Sequence, residues 1–183
     1  MQRFIAPFTF SLCLASAAFA QGALPVQVAH LAGAQCSQQH AGWAYTCRWQ
    51  HYDITADPPS RRCAQDGLYG NIQTDSPGLT LLDRPAGGKP VARLKNRQFV
   101  CVSADARQGN QEVQWYYVTA ITVGSVAACR GRKLCGGPGD LPIESLVPGT
   151  GVSCHRDAKG NVVGDCASGW VRTEDLELFA NGI

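Results

Sequence analysis

Nine cysteines in 183 residues constrain this chain more than any other feature. Cys13 lies among the first twenty residues; the other eight are Cys36, Cys47, Cys63, Cys101, Cys129, Cys135, Cys154 and Cys166. Those first twenty residues have the layout of an export signal. Arg3 supplies a positive start, Ile5 to Ala18 is apolar apart from Pro7, Thr9, Ser11 and Ser16, and Ala18-Phe19-Ala20 forms a small-x-small cleavage site. Cleavage there would remove Cys13 and leave a chain starting at Gln21. An exported chain with an even eight cysteines is expected to form four disulfides and keep no free thiol. Eight cysteines allow roughly a hundred pairings. Joining sequence neighbours gives Cys36–Cys47 and Cys63–Cys101. For the rest, Cys129–Cys135 with Cys154–Cys166 competes with the nested set Cys129–Cys166 and Cys135–Cys154.

The leader excludes other readings of the N-terminus. Leu12 stands where a lipoprotein signal needs a small residue, so Cys13 is not expected to be a lipid anchor. No other stretch approaches the roughly 20 apolar residues of a membrane span. The formal net charge is +2, from 16 basic and 14 acidic residues, and falls near +1 without Arg3. So even a balance gives nucleic acid or an anionic membrane little to attract. The expected location is periplasmic or secreted.

The body of the chain reads as all-β. Proline and glycine punctuate it at short intervals, and the apolar runs are four to eight residues long with β-branched or aromatic members. Three regions separate. Residues 21–76 hold VQVAHL and GWAYTCRWQHYDI before a polar loop at Asp57-Pro58-Pro59. Residues 77–120 are densest in strand signals. Residues 121–167 contain GGPGDLP and PGTG, which is loop chemistry.

The segment LTLLDRPAGGKPVARL resembles the opening of a bacterial SH3-like domain. Leu79 and Leu81 match the inward positions of its first strand, Pro85 its turn proline, and Val91 and Leu94 its second strand. QFVCV (98–102) is similar to the third strand, WYYV (115–118) to the fourth and SGWVRTEDL (168–176) to the fifth. Residues 77–120 and 168–180 carry the resemblance. The family's last strand is a Gly-Trp-Val followed by a one-turn helix. Trp170 and Val171 would thus close a small barrel, with Thr173-Glu174-Asp175 capping the turn and Leu176 filling the barrel end. Leu82 and Asp83 depart from the usual Arg and Ser, and Arg97 stands where a turn glycine is usual. Residues 121–167 replace a tight turn. The fold this implies is a small SH3-like barrel with an N-terminal hairpin extension (21–76) and a long disulfide-bearing insertion before the last strand.

Chemistry-bearing motifs are few. Cys36-x-x-x-His40 and Cys47-x-x-x-His51 could gather two thiolates and two imidazoles around zinc, since positions i and i+4 of a strand share a face. A Cys36–Cys47 disulfide competes for the same sulfurs, and an oxidising compartment favours it, so no metal is expected. Trp43, Tyr45, Cys47 and Trp49 alternate and would share one face, either as core or as an aromatic platform for a ligand. With every cysteine paired no thiolate remains as a nucleophile. The HRD at 155–157 stands without the rest of the kinase motif set. No enzymatic activity and no cofactor are expected. The basic loop CRGRKLC (129–135) reads as a disulfide-closed turn with solvated charges, or as a recognition loop for an acidic partner.

The resemblance implies a non-catalytic binding protein that recognises peptidoglycan or an envelope peptide. In such domains the ligand lies beside the loop after the first strand, here 83–90, which offers Arg84 and Lys89 but no aromatic. Adjacent strand residues face opposite sides. Tyr117 shares the Trp115 and Val113 side, which looks like core, so Tyr116 is expected outside. The expected site combines Tyr116 and Arg84 with one of Trp43 or Trp49, between barrel and extension. The rival reading is a periplasmic inhibitor or immunity protein against a wall-degrading enzyme, with the insertion as its wedge.

Overall fold

The computed structural model describes residues 24–64, 67–130, 141–158 and 162–179. The expected export signal (1–20), Cys135 and most of the basic loop lie outside the described residues. The strands are β1 (Gln35–Gln38), β2 (Tyr45–Trp49), β3 (Tyr52–Ala56), β4 (Leu68–Ile72), β5 (Leu79–Leu82), β6 (Pro90–Leu94), β7 (Phe99–Arg107), β8 (Val113–Ala120), β9 (Glu144–Ser145), β10 (His155–Arg156), β11 (Val162–Val163), β12 (Ser168–Arg172) and β13 (Leu176–Leu178). The helices among the described residues are single 3-10 turns. The protein is all-β, as its punctuation predicts.

One antiparallel sheet runs β1-β2-β3-β7-β8-β12-β5-β6-β9, with β4 pairing both β7 and β13; β10 and β11 form a separate hairpin. The nine-residue β7 organises it. Along one edge β7 pairs with β8; along the other, Phe99–Val102 pair with β4 and Ala104–Arg107 with β3. Ser103 sits in a β-bulge between these halves. A bulge reverses the side-chain alternation beyond it. Val100 and Val102 therefore enter one apolar cluster, whereas Ala104 and Ala106 enter another on the opposite face.

The first cluster lies between the five strands that carry the resemblance: Leu81 on β5, Ala92 and Leu94 on β6, Val100 and Val102 on β7, Val118 and Ala120 on β8, and Val171 on β12. Ile72 and Leu176 complete it. These strands pair in the order β7-β8-β12-β5-β6, but the sheet does not close, which corrects the expectation of a closed barrel. Its physical reason is competition for edges. The insertion supplies β9 to β6, while β4 and β3 take the whole outer edge of β7.

The other face of the sheet is covered twice. Val28, Leu31, Trp49, Tyr52 and Ile54 from the N-terminal region pack on Ala104, Ala106, Trp115, Tyr117 and Trp170. Cys63, Tyr69, Ile121, Val126, Cys129 and Val162 pack around Phe99 and Cys101. Trp170 is fully buried, but in the N-terminal cluster; its neighbour Val171 takes the inner position. Trp170 and Val171 were expected together to close a small barrel; the structure puts them in different clusters, and Trp170 fastens the N-terminal region to the sheet. Between the two outer clusters the Arg62 guanidinium donates from Nη2 to Thr119 Oγ1 at 3.4 Å and Ser168 Oγ at 3.3 Å.

Cys36–Cys47, Cys63–Cys101 and Cys154–Cys166 are disulfides. The third selects the sequence-neighbour arrangement in the insertion over the nested one. Cys129 is also disulfide-bonded. Among the described residues no helix is long and apolar enough to cross a membrane. Three disulfides without such a helix are compatible with an oxidising, exported location.

Candidate functional site

A cleft opens where β7 changes partners. Beyond Ala56, β3 has ended; before Leu68, β4 has not begun; opposite this gap lies the Ser103 bulge. The Ser103 carbonyl is satisfied, accepting from Asp57 N at 2.8 Å and from Gln27 Nε2 at 3.0 Å. Its hydroxyl is buried and has no hydrogen-bond partner. The cleft has a volume of ≈ 280 Å³, with Thr55, Asp57 and Arg61 on the N-terminal side, Leu68 on β4, and Ser103, Asp105 and Tyr116 on the central strands.

Tyr116 and Asp105 are cross-strand partners. Asp105 accepts from Arg107 Nη2 at 3.0 Å in a partly exposed ion pair. Burial, and then the Asp105 charge, push the Tyr116 phenol above its ordinary value, while Arg107 opposes them. Tyr116 is thus a neutral hydroxyl at physiological pH, able to donate and accept, beside a half-buried ring face. Asp57, Asp105 and Arg61 put both signs of charge on the same walls.

The other expected site residues are distributed elsewhere. Arg84 lies in the β5–β6 turn, its Nε 3.5 Å from Asp83 Oδ1. Lys89 is exposed in the same turn, and its backbone N–H donates to Asp83 Oδ1 at 2.8 Å. Neither lines the cleft. Trp49 is 4% exposed, and its Nε1 donates to Ala32 O at 3.2 Å. It is core, which settles the aromatic alternation of β2 for the packing reading at that position. Trp43 is 59% exposed in the β1–β2 turn, edge-on to His40 with ring centroids 5.0 Å apart. Tyr116 thus lines the cleft, Arg84 and Lys89 share the β5–β6 turn, and Trp43 and Trp49 are not among the residues lining the cleft.

Other motifs have structural partners. Cys36 and Cys47 face each other across β1 and β2 and are bonded, which removes both sulfurs from the zinc arrangement. Arg156 of the HRD donates from Nη1 to Cys63 O at 2.7 Å, tying the insertion to the loop before β4. Arg130 donates from Nε to Gly124 O at 3.2 Å, and residues 131–135 of that loop lie outside the described residues.

Asp57, Arg61, Ser103 and Asp105 were not singled out by sequence reasoning. Their only signal is the PP turn at 58–59 and the serine interrupting FVCVSADAR, and neither reveals the bulge that creates the cleft. No family model matches this chain, and no curated protein or solved structure matches it. What fold and site define is an all-β, disulfide-stapled protein with a mixed-charge cleft.

Proposed function

We propose that this chain is an exported, non-catalytic binding protein that takes peptidoglycan or an envelope peptide into the cleft at the Ser103 bulge. In this reading the five strands around the inner cluster are an SH3-like barrel, opened at β6 and β7 by the added segments. The observation that carries it is the cleft's composition: Tyr116 for stacking, Asp57 and Asp105 for an amine, Arg61 for a carboxylate. Wall peptides present both groups, and charge-assisted hydrogen bonds to them are the strong ones. Titrating the labelled protein with soluble wall peptides tests this. Amide shifts should concentrate at 55–57, 102–105 and 116; a titration that leaves those amides unmoved refutes the reading.

A second reading, a periplasmic inhibitor or immunity protein against a wall-degrading enzyme, is favoured by one observation. Ile143, Leu146, Val147 and Val152 are all exposed on the insertion, between 37% and 50%. Grouped exposed apolar residues mark protein-binding surfaces. Val147→Asp would abolish binding to such an enzyme and leave wall-peptide binding intact.

A further inference from the structure

A second cavity, independent of the cleft, lies between the end of β8 and the insertion. Its volume is ≈ 260 Å³ and its apolar walls are Ala120, Ile121, Leu141, Ile143 and Val162. Ala120, Ile121 and Val162 belong to the buried clusters, so these walls are fixed by packing. Ile143, 43% exposed, marks the rim, and the Cys154–Cys166 disulfide pins the opposite edge.

The inner wall holds one unusual group. Gln98 lines the cavity, is 2% exposed, and its Oε1 has no hydrogen-bond partner. Its backbone is committed to the turn before β7: N–H to Lys95 O at 3.1 Å, and C=O accepting from Ile72 N at 3.0 Å. The side-chain acceptor is thus buried behind the cavity wall without a donor, and a rotation of the side chain would bring it to the cavity. An unsatisfied buried acceptor costs about 1–3 kcal/mol, which a ligand donor recovers.

We propose that this cavity is a binding site for a neutral aromatic ring carrying one hydrogen-bond donor, of phenol or indole size. The size follows from volume. A dry apolar cavity of about 150 Å³ holds benzene, and drug-sized pockets begin at about 300 Å³. The polarity follows from the lining: it has the Gln98 acceptor, His155 and the Arg156 guanidinium, whose Nη1 is committed to Cys63 O at 2.7 Å, and no carboxylate to neutralise an amine. Such a ring would lie on Ile121 and Val162 and donate to Gln98 Oε1 after a small side-chain rotation. The ring can come from a free small molecule or from a tyrosine or tryptophan side chain of a bound peptide.

Indole and benzofuran separate donor recognition from shape, because they are nearly isosteric and only indole carries an N–H. Indole should shift the amides of Ile121, Thr122, Ser125 and Ile143 saturably, with affinity at least about fivefold above benzofuran. Gln98→Leu should erase that preference. Should that variant fail to fold, Ile143→Trp, which fills the exposed rim, should abolish the indole shifts. Competition of indole by a Trp-containing peptide but not by its Ala counterpart assigns the ring to a side chain; displacement by neither peptide assigns it to a free molecule. Equal affinities for indole and benzofuran, no saturable shift at these amides, or undiminished indole binding by Ile143→Trp would overturn the proposal. Because none of these readouts involves 55–57 or Tyr116, failure here is distinguishable from failure of the wall-peptide reading.

Discussion

Trp170 and Tyr117 meet edge to face, with ring centroids 5.4 Å apart and planes at 78°, on the face of the sheet opposite Val171. They are also cross-strand partners in β12 and β8. This contact joins the last strand of the inner cluster to the apolar layer supplied by residues 28–56. Trp170→Ala should cost about 3–5 kcal/mol, as for other buried large aromatics. Its signature should be early hydrogen exchange in β2 and β3, relative to Leu81 and Leu94. Uniform loss of protection would place Trp170 in the inner cluster instead.

Gly169, beside it, is required by close approach. A Cβ there would lie 2.8 Å from Leu82 O and 2.9 Å from Leu81 Cβ, both fixed in β5. Gly169→Ala should therefore destabilise by about 1–3 kcal/mol, the range for overpacking. Denaturant midpoints measure it, and an unchanged midpoint would show that β5 can yield.

Arg97 occupies the left-handed region at φ 64°, where the resembled domains carry glycine. That conformation costs an L-residue about 1–2 kcal/mol. Arg97→Gly, offset by the unfolded-state freedom of glycine, should raise stability by up to about 1 kcal/mol. A lower melting temperature would mean that the Arg97 side chain contributes contacts worth more than the strain.

Burial raises the pKa of the Tyr117 phenol above its ordinary value, against opposing effects of Arg62 and Ser168. The fold favours the neutral hydroxyl, so its contribution is whole below the unfolded pKa of about 10 and is lost as pH rises through the higher folded value. Stability should fall with alkalinity above about pH 9, and Tyr117→Phe should fall less steeply. Urea midpoints across that range check the sign.

Alkylation of the unreduced protein should label no cysteine. Removing the Cys36–Cys47 bridge, which spans 11 residues, should cost about 2–4 kcal/mol. Labelling of two or more thiols, or stoichiometric zinc, would restore the Cys-His arrangement.

Strand content and the Cys36–Cys47 bridge were legible because they depend on local chemistry: β-branched and aromatic runs cut by Gly and Pro, and two cysteines facing each other across a hairpin. Cys63–Cys101 rested on sequence order alone, and Cys154–Cys166 stood beside a nested alternative until the structure chose it. Face assignment was not. FVCVSADAR reads as one unbroken alternation, with Val100, Val102, Ala104 and Ala106 on one side. The Ser103 bulge splits them, and nothing local in the sequence announces it. Trp170 and Val171 necessarily point apart, but deciding which is inner requires knowing that residues 28–56 cover the outside. Barrel closure failed for a similar reason, since β6 and β7 find partners among residues distant in sequence. Tyr116 was expected outside because Trp115 and Tyr117 look like core. They are core, in the outer layer, while Tyr116 sits half-buried at the inner cluster's edge and reaches the cleft from there.

The most direct test of wall-ligand recognition at the cleft is sedimentation of the purified protein with insoluble peptidoglycan, comparing Tyr116→Ala with Arg84→Ala. Truncating an aromatic anchor should weaken binding by about tenfold, or about 1.4 kcal/mol. Because Tyr116 packs against the inner cluster, its truncation should also cost about 1–3 kcal/mol of stability, so binding is compared well below the melting temperature of the variant. Arg84→Ala, in a turn that does not line the cleft, should sediment like the unmodified protein. Full binding by Tyr116→Ala, or its loss by Arg84→Ala alone, would contradict the cleft and place the ligand on the β5–β6 turn.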